Sequence, residues 1–185
     1  MSRHSSRLNK WLIALYFWTV WPYYSYMTDT PMIAAELPNY SEEKLPCYVF
    51  DVDNTIARTA HRAHFLAGDI KDWNSFHSHC VLDTPIESVV NVLTALSWNY
   101  TIILLTGRNE KYRRLSELWL KNNGIEPDCL LMRKDDDFRP DYSMKSDVFD
   151  EIEKRFEILG AFDDNKDVLR MLNLRSIRTF DCSQT

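Results

Sequence analysis

The sequence predicts an α/β fold, a Rossmann-like parallel sheet of about five strands with helices on both faces. Two patterns carry this. Short apolar runs of β-forming residues recur along the chain, and segments with apolar residues at helical spacing alternate with them through short links. Such alternation is expected of parallel strands joined by crossover helices and covered on both faces. Cys47-Tyr-Val-Phe50 is the first buried strand. Thr84-Pro85-Ile86-Glu87 reads as a capping box with Pro at the first helical position, and Ile86, Val89, Val90, Leu93 and Leu96 continue that helix. Thr101 to Leu105 is a second strand, followed by a helix with Tyr112, Leu115 and Trp119 on one face and Gly124 at its end. Cys129 to Met132 is a third strand, and Met144, Val148, Ile152 and Phe156 mark the next helix. Ile158 to Phe162 is a fourth strand. Val168, Met171 and Leu172 lie on a short helix, and Ser176 to Phe180 is a fifth strand.

Between Ile56 and Asp83 the chain is too long for a plain loop, so a small helical cap at about 56–83 is expected, inserted after the first strand. His61, His64, His77 and His79 lie there without an acidic or Cys partner at ligand spacing, and are read as solvated or core residues. Trp73 and Phe76 suit either packing of the cap on the core or stacking on a base.

With 185 residues, 45% of them hydrophobic, the chain suits one such domain, residues 46–185, plus a small appendage. Lys and Arg number 22 against 27 for Asp and Glu, a formal net charge of -5. That balance excludes a protein that coats nucleic acid through a broad basic surface, and leaves open an enzyme that touches only a chain end. Cys47, Cys80, Cys129 and Cys182 are scattered, which argues for reduced, structural thiols and against a zinc site or disulfide framework.

Residues 1–45 differ in character. Arg3, Arg7 and Lys10 precede the apolar run from Trp11 to Trp21, and Pro22 ends it. The run is shorter than the ~20 residues of a membrane span, and its Trp and Tyr favour an interface. Three readings stand side by side. The segment is a weak membrane-surface contact through residues 11–21, a secretion signal with Ile33-Ala34-Ala35 as a distant cleavage site, or lies upstream of a true start at Met27 or Met32. The expected location is the cytoplasm, with membrane association or secretion as the alternatives.

In parallel sheets ligands bind outside the carboxyl ends of the strands. Asp51 and Asp53 follow the first strand, Thr106-Gly107-Arg108 ends the second, and Asp163-Asp164 ends the fourth. Carboxylates converging on one crevice repel each other unless a hard cation binds, and a donor set of oxygens alone suits magnesium. Thr106 and the backbone at Gly107 supply hydrogen-bond donors, and Lys145 supplies a point charge suited to a phosphate. Lys145 is expected in the first turn of its helix, where the macrodipole disfavours a cation and a bound anion would explain it. A nucleophilic carboxylate, a second carboxylate as acid and base, a divalent metal and a phosphate clamp amount to a phosphoryl-transfer site.

These segments resemble the four motifs of the haloacid dehalogenase superfamily, from residue 47 to about 182. The resemblance implies Asp51 as nucleophile and Asp53 as general acid/base. Thr106 would bind the phosphoryl group and Lys145 would neutralise it. Magnesium would sit on Asp51, the main-chain carbonyl of Asp53, and Asp163 or Asp164. Asn54 stands where Gly is commoner, a change compatible with the unusual backbone angles Asn accepts. A finer similarity is to the 3′-phosphatase domains of polynucleotide kinase–phosphatases. It rests on Arg62, the Thr-Gly-Arg at 106–108, Met132 to Pro140, Asp141-Tyr-Ser-Met-Lys145 and Phe162-Asp-Asp164. That similarity implies a nucleic-acid 3′ end as substrate, with Gly107, Arg108, Arg62 and Asp141 on the substrate side. Taken alone, Arg62 and Arg108 suit either plain surface positions or contacts to substrate phosphates. No GxxxxGK[ST] loop occurs in these 185 residues, so they carry no ATP site and no 5′-kinase half. A small-molecule phosphatase (a nucleotidase or secreted acid phosphatase) and a catalytically inactive binding module are the competing readings. Intact Asp51, Asp53, Lys145 and Asp163 stand against the latter.

Overall fold

Strand β1 (Leu45–Phe50) is the centre on which the remaining elements are laid. The computed structural model describes residues 36–38 and 43–183, and nothing is stated of the others. In chain order β1 is followed by β2 (Ala57–Arg58), α1 (Trp73–Ser78), β3 (Thr84–Pro85), α2 (Glu87–Ser97), β4 (Thr101–Asn109), α3 (Arg113–Asn122) and β5 (Cys129–Arg133). Then come α4 (Asp141–Arg155), β6 (Phe156–Asp163), α5 (Lys166–Leu174) and β7 (Thr179–Asp181). The main sheet has the order β5-β4-β1-β6-β7, and each neighbouring pair is parallel.

Side-chain alternation along the central strands divides the core into two layers. Ile103 and Leu105 of β4, with Cys47 and Val49 of β1, pack under Phe149 and Ile152 of α4 and Val168 and Leu172 of α5. Ile102 and Leu104, with Phe50, face Val90 and Leu93 of α2 and Trp119 and Leu120 of α3. Helices therefore cover both faces, as the alternating pattern predicts. Cys47, Cys80 and Cys129 are buried thiols, and Cys182 is a partly buried one.

Four local expectations are corrected. Thr84-Pro85 is not a helix cap: it forms β3, antiparallel to β2, and α2 starts at Glu87 with no side-chain cap. The amide of Ile86 instead donates to Ile56 O (2.8 Å), so this segment closes the base of the cap. Tyr112 precedes α3 in a short 3₁₀ turn, Phe156 opens β6 rather than continuing α4, and β7 begins only at Thr179. Packing that belongs to the domain also reaches upstream of residue 46. Leu37 enters the core, and its carbonyl accepts from Arg155 Nη1 (2.7 Å). The apolar run at 11–21 and the sites at Met27, Met32 and Ile33 to Ala35 lie outside the described residues. Among the described residues no helix is long and apolar enough to cross a membrane.

The expected cap is present as an insert between β2 and β3, made of 3₁₀ turns at Ala60–Leu66 and His79–Leu82 and the short helix α1. Asp72 caps α1 by accepting from the Ser75 amide (2.9 Å). His77 is buried against the rings of Trp73, Phe76 and Tyr112. Burial pushes its pKa down to about 4, with Arg108 and Arg62 acting the same way against the opposing pull of Asp53. The unfolded chain binds this proton near pH ~6.5, before the folded one does. The stability from keeping His77 neutral is thus complete above that pH and is lost as pH falls toward 4. The limit is ~1.4 kcal/mol per pH unit. Urea denaturation between pH 7 and 5 should show a shallower loss of stability for His77→Phe than for the wild type, by on the order of 1 kcal/mol. Equal slopes would contradict the buried, neutral imidazole.

Candidate active site

Parallel pairing brings the carboxyl ends of β1, β4 and β6 to one edge of the sheet. Phe50 is in register with Leu104 on one side and Phe162 on the other. Asp51 follows directly, its amide donating to Phe162 O (2.9 Å), and Asp163 ends β6 beside it. Lys145 joins these elements. Its Nζ lies 2.8 Å from Asp51 Oδ1, 2.8 Å from Asp163 Oδ2 and 3.0 Å from Asp141 Oδ2, and the side chain is buried.

This placement corrects the expected one. Helix α4 opens at Asp141, so the carboxylate occupies the first turn that the macrodipole favours, and Lys145 sits one turn further on. Three carboxylates explain the buried ammonium without recourse to a dipole penalty. Asp141 is in turn held by Arg133 Nη2 at its Oδ1 (2.9 Å). Asp141 thus sits between Arg133 and Lys145 at the cavity wall.

Oxygen atoms of Asp51, Asp163 and Asp164 lie within 4.8 Å of one another. Burial raises Asp51 well above the ordinary carboxylate range, against the pull of Lys145. Burial and the nearby Asp163 push Asp164 up to about 6. One ammonium does not neutralise this group, and every donor is a hard oxygen, so the set fits a small divalent cation. The cavity above it, about 750 Å³, is lined by Asp51, Asp53, Gly107, Asp141, Lys145 and Asp164 among others.

Around Asp53 the charges are arranged differently. Its Oδ1 accepts from Arg62 Nη2 (2.7 Å) and Arg108 Nε (2.9 Å). Both guanidinium groups are buried, and Asp83 anchors them. Its Oδ1 accepts from Arg62 Nε, and its Oδ2 from Arg62 Nη2 and Arg108 Nη2, each at 2.8 Å. Arg62 and Arg108, read in sequence as surface positions or phosphate contacts, are here buried against Asp53 and Asp83. A buried guanidinium has to be paired, and these two carboxylates pair both. Burial alone would raise the pKa of Asp53, but Arg108 and Arg62 outweigh it and hold the carboxyl below its ordinary value.

Asp83 is the participant that motif spacing does not reveal, since in sequence it marks only the end of the cap. Its backbone is fixed as well, the carbonyl accepting from Trp119 Nε1 (2.7 Å). His61 Nε2 lies 2.8 Å from Asp83 Oδ1, so this histidine belongs to the same network.

Strand β4 continues past Leu105 to Asn109 because it bulges: Thr106 pairs with Met132, but Asn109 is the next residue to pair, with Arg133. The bulge turns Gly107 toward the cavity and Arg108 inward to Asp53. A Cβ on Gly107 would meet Asp141 Oδ1 at 2.7 Å, so a larger residue here would push that carboxylate from its place. Thr106 is buried, its Oγ1 accepting from the Arg108 amide (3.3 Å) with its own proton still to donate. Asn54 takes φ +61°, the left-handed angle its residue type tolerates, and its Oδ1 accepts from Thr59 Oγ1 (2.6 Å).

Residues 45–185 match the family model described as the polynucleotide kinase PNKP phosphatase domain. Two solved structures are similar over most of the chain. A chain of the Pnkp1/Rnl/Hen1 RNA repair complex shares 25% identity at a TM-score of 0.65, covering 84% of this chain and 46% of that one. A second Pnkp1/Rnl/Hen1 complex gives 26% identity and a TM-score of 0.64, with 84% and 50% covered. The chain thus spans about half the length of these relatives. The class C acid phosphatase from Bacillus anthracis with tungstate bound shares the fold at 15% identity and a TM-score of 0.54, over 74% of this chain and 63% of that one. No curated protein matches. Family match, strand order and strand-end carboxylates agree, and the chain belongs to the polynucleotide kinase phosphatase-domain family of haloacid dehalogenase phosphatases.

Proposed function

We propose that this phosphatase removes the 3′-phosphate from nucleic-acid ends through an aspartyl-phosphate on Asp51. One observation carries the mechanism: Asp51 stands at the cavity floor with Lys145 at 2.8 Å and the carboxylates of Asp163 and Asp164 beside it. A carboxylate oxygen of Asp51 attacks phosphorus, and the bond to the leaving oxygen breaks. Asp53 protonates that oxygen, since a sugar alkoxide is too basic to leave unaided. It then takes a proton from the water that attacks phosphorus and frees Asp51. The arginines fix Asp53 through Oδ1, and the negative phosphate arriving beside it raises its affinity for the proton it must carry.

Lys145 and the Thr106 hydroxyl would bind the phosphoryl oxygens, with the Gly107 backbone beside them. Asp51, Asp163 and Asp164, with the main-chain carbonyl of Asp53, would hold magnesium. When bound, the ion supplies the positive charge that the carboxylate cluster and phosphoryl group lack. The choice of a nucleic-acid end is supported by the family match and by a relative that belongs to an RNA repair complex. A formal net charge of -5 suits recognition of an end more than of a long tract.

Phosphate release should be faster in kcat/KM from a 3′-phosphorylated oligonucleotide than from its 5′-phosphorylated counterpart, nucleoside monophosphates or simple sugar phosphates. Equal or better hydrolysis of the small esters would move the function to a small-molecule phosphatase.

The metal is checked by the same assay. Excess chelator should abolish release, and magnesium should restore it where calcium, with its looser and larger coordination, does not. Full activity in chelator would remove magnesium from the account.

A further inference from the structure

The outer part of the cavity above Asp51 carries groups that phosphate hydrolysis itself does not need. Trp73, at the start of α1, is 50% exposed, and Phe138, in the loop between β5 and α4, is 90% exposed. Both line the same cavity as Asp51, as does Lys111 in the turn after β4. Single exposed apolar residues are ordinary. These differ because each hangs over one cavity from backbone that is tied down.

Around Phe138, Arg133 Nη1 donates to Asp137 O (3.4 Å) and Arg139 O (2.9 Å), and Arg139 Nη2 donates to Asp137 Oδ2 (2.7 Å). Both neighbours of Phe138 are thus fixed while its ring is left in water. Trp73 is backed by the ring of His77 (centroids 5.8 Å apart, planes 25° apart) and stands edge-on to Phe76, which Arg62 covers at 4.1 Å. The next residue, Asn74, accepts from Tyr112 Oη (2.8 Å) and Lys111 Nζ (2.9 Å), pinning α1 to the sheet side of the cavity.

Lys111 supplies the charge. Its Nζ meets an uncharged amide and lies 5.0 Å from the Tyr112 ring, so among the described residues its charge is not cancelled by a carboxylate. Arg62 and Arg108 are committed to Asp53 and Asp83, and Arg133 and Arg139, which also line the cavity, are paired with Asp141 and with Asp137 and Asp147, so among the described lining residues Lys111 is the cation suited to a second phosphate.

We infer that Trp73 and Phe138 stack on the base nearest the scissile phosphate while Lys111 takes the adjoining phosphodiester, so that the preferred substrate is an unpaired, single-stranded 3′ end. This rests on the 3′-phosphatase reading above. Flat, exposed rings on fixed backbone favour a planar base, because little side-chain freedom is lost on stacking and every base offers a π face. At a duplex end one face of the last base stays covered by the neighbouring pair, so a paired end offers a single face where an unpaired base offers both.

The test compares a single-stranded 3′-phosphorylated oligonucleotide with the same strand made abasic at its last nucleotide. In the wild type, loss of the base should lower kcat/KM roughly five- to a hundredfold, mostly through KM. In Phe138→Ala and Trp73→Ala that ratio should shrink toward one. Phe138 is 90% exposed, so its substitution does not threaten folding. Equal wild-type hydrolysis of the intact and abasic strands, or ratios unmoved by both substitutions, would overturn the stacking site and leave the 3′-phosphatase reading standing. Failure to release phosphate from any 3′-phosphorylated strand would instead sink that reading, and the stacking site with it.

Discussion

The contact on which the rest of the site depends is the ammonium of Lys145 held among Asp51, Asp163 and Asp141. It ties the end of β1, the end of β6 and the second turn of α4 into one unit. None of its partners is tolerable alone, because a buried carboxylate without a counter-charge is either protonated or expelled. The arrangement is balanced but short of positive charge. Lys145 faces three carboxylates and Asp164 stands close by, so the cluster is ready to gain a cation and a phosphoryl group together. Removing one member of such a buried group typically costs ~3–5 kcal/mol, because its partners are left uncompensated.

A second buried network, Arg62 and Arg108 between Asp53 and Asp83, does a different job. Two cations and two carboxylates cancel in charge, and their hydrogen bonds cross from the cap to β4 and to the segment that closes the cap. Asp53 is thereby held by one oxygen at the cavity wall, while its neighbour Asp51 is held by a lysine on the opposite side. Two carboxylates separated by one residue so face opposite electrostatic surroundings: Asp51 is raised by burial, and Asp53 is lowered by the arginines.

How much of this was legible in the sequence follows from which forces are local. The core strands announce themselves, because burial on both faces demands unbroken apolar runs such as Thr101 to Leu105. Their ends do not: β4 continues to Asn109 because Arg133 and Asp141 accommodate a bulge at Gly107, and those partners lie 26 and 34 positions further along the chain. Thr84 to Glu87 satisfies the chemistry of a capping box, yet pairing with Ala57–Arg58 takes precedence. Asp51, Asp163 and Asp164 are legible because strand ends in a parallel sheet converge, and Lys145 reaches them from the second turn of α4. The inward turn of Arg62 and Arg108 is not legible, since a guanidinium reads the same whether it faces a phosphate or a buried Asp83, and a lone Asp carries no spacing signal. Trp73 and Phe76 were expected to pack or to stack. The structure divides the two, burying Phe76 under Arg62 and leaving Trp73 half exposed.

The central claim is that Asp51 becomes covalently phosphorylated, and trapping tests it most directly. Enzyme mixed with a 3′-³²P-labelled oligonucleotide and magnesium, quenched in acid within one turnover and reduced with borohydride, should carry transient label on protein and yield homoserine at position 51. Label should be absent from Asp51→Asn. Phosphate released in the first turnover with no protein-bound label, or label at another residue, would contradict the account.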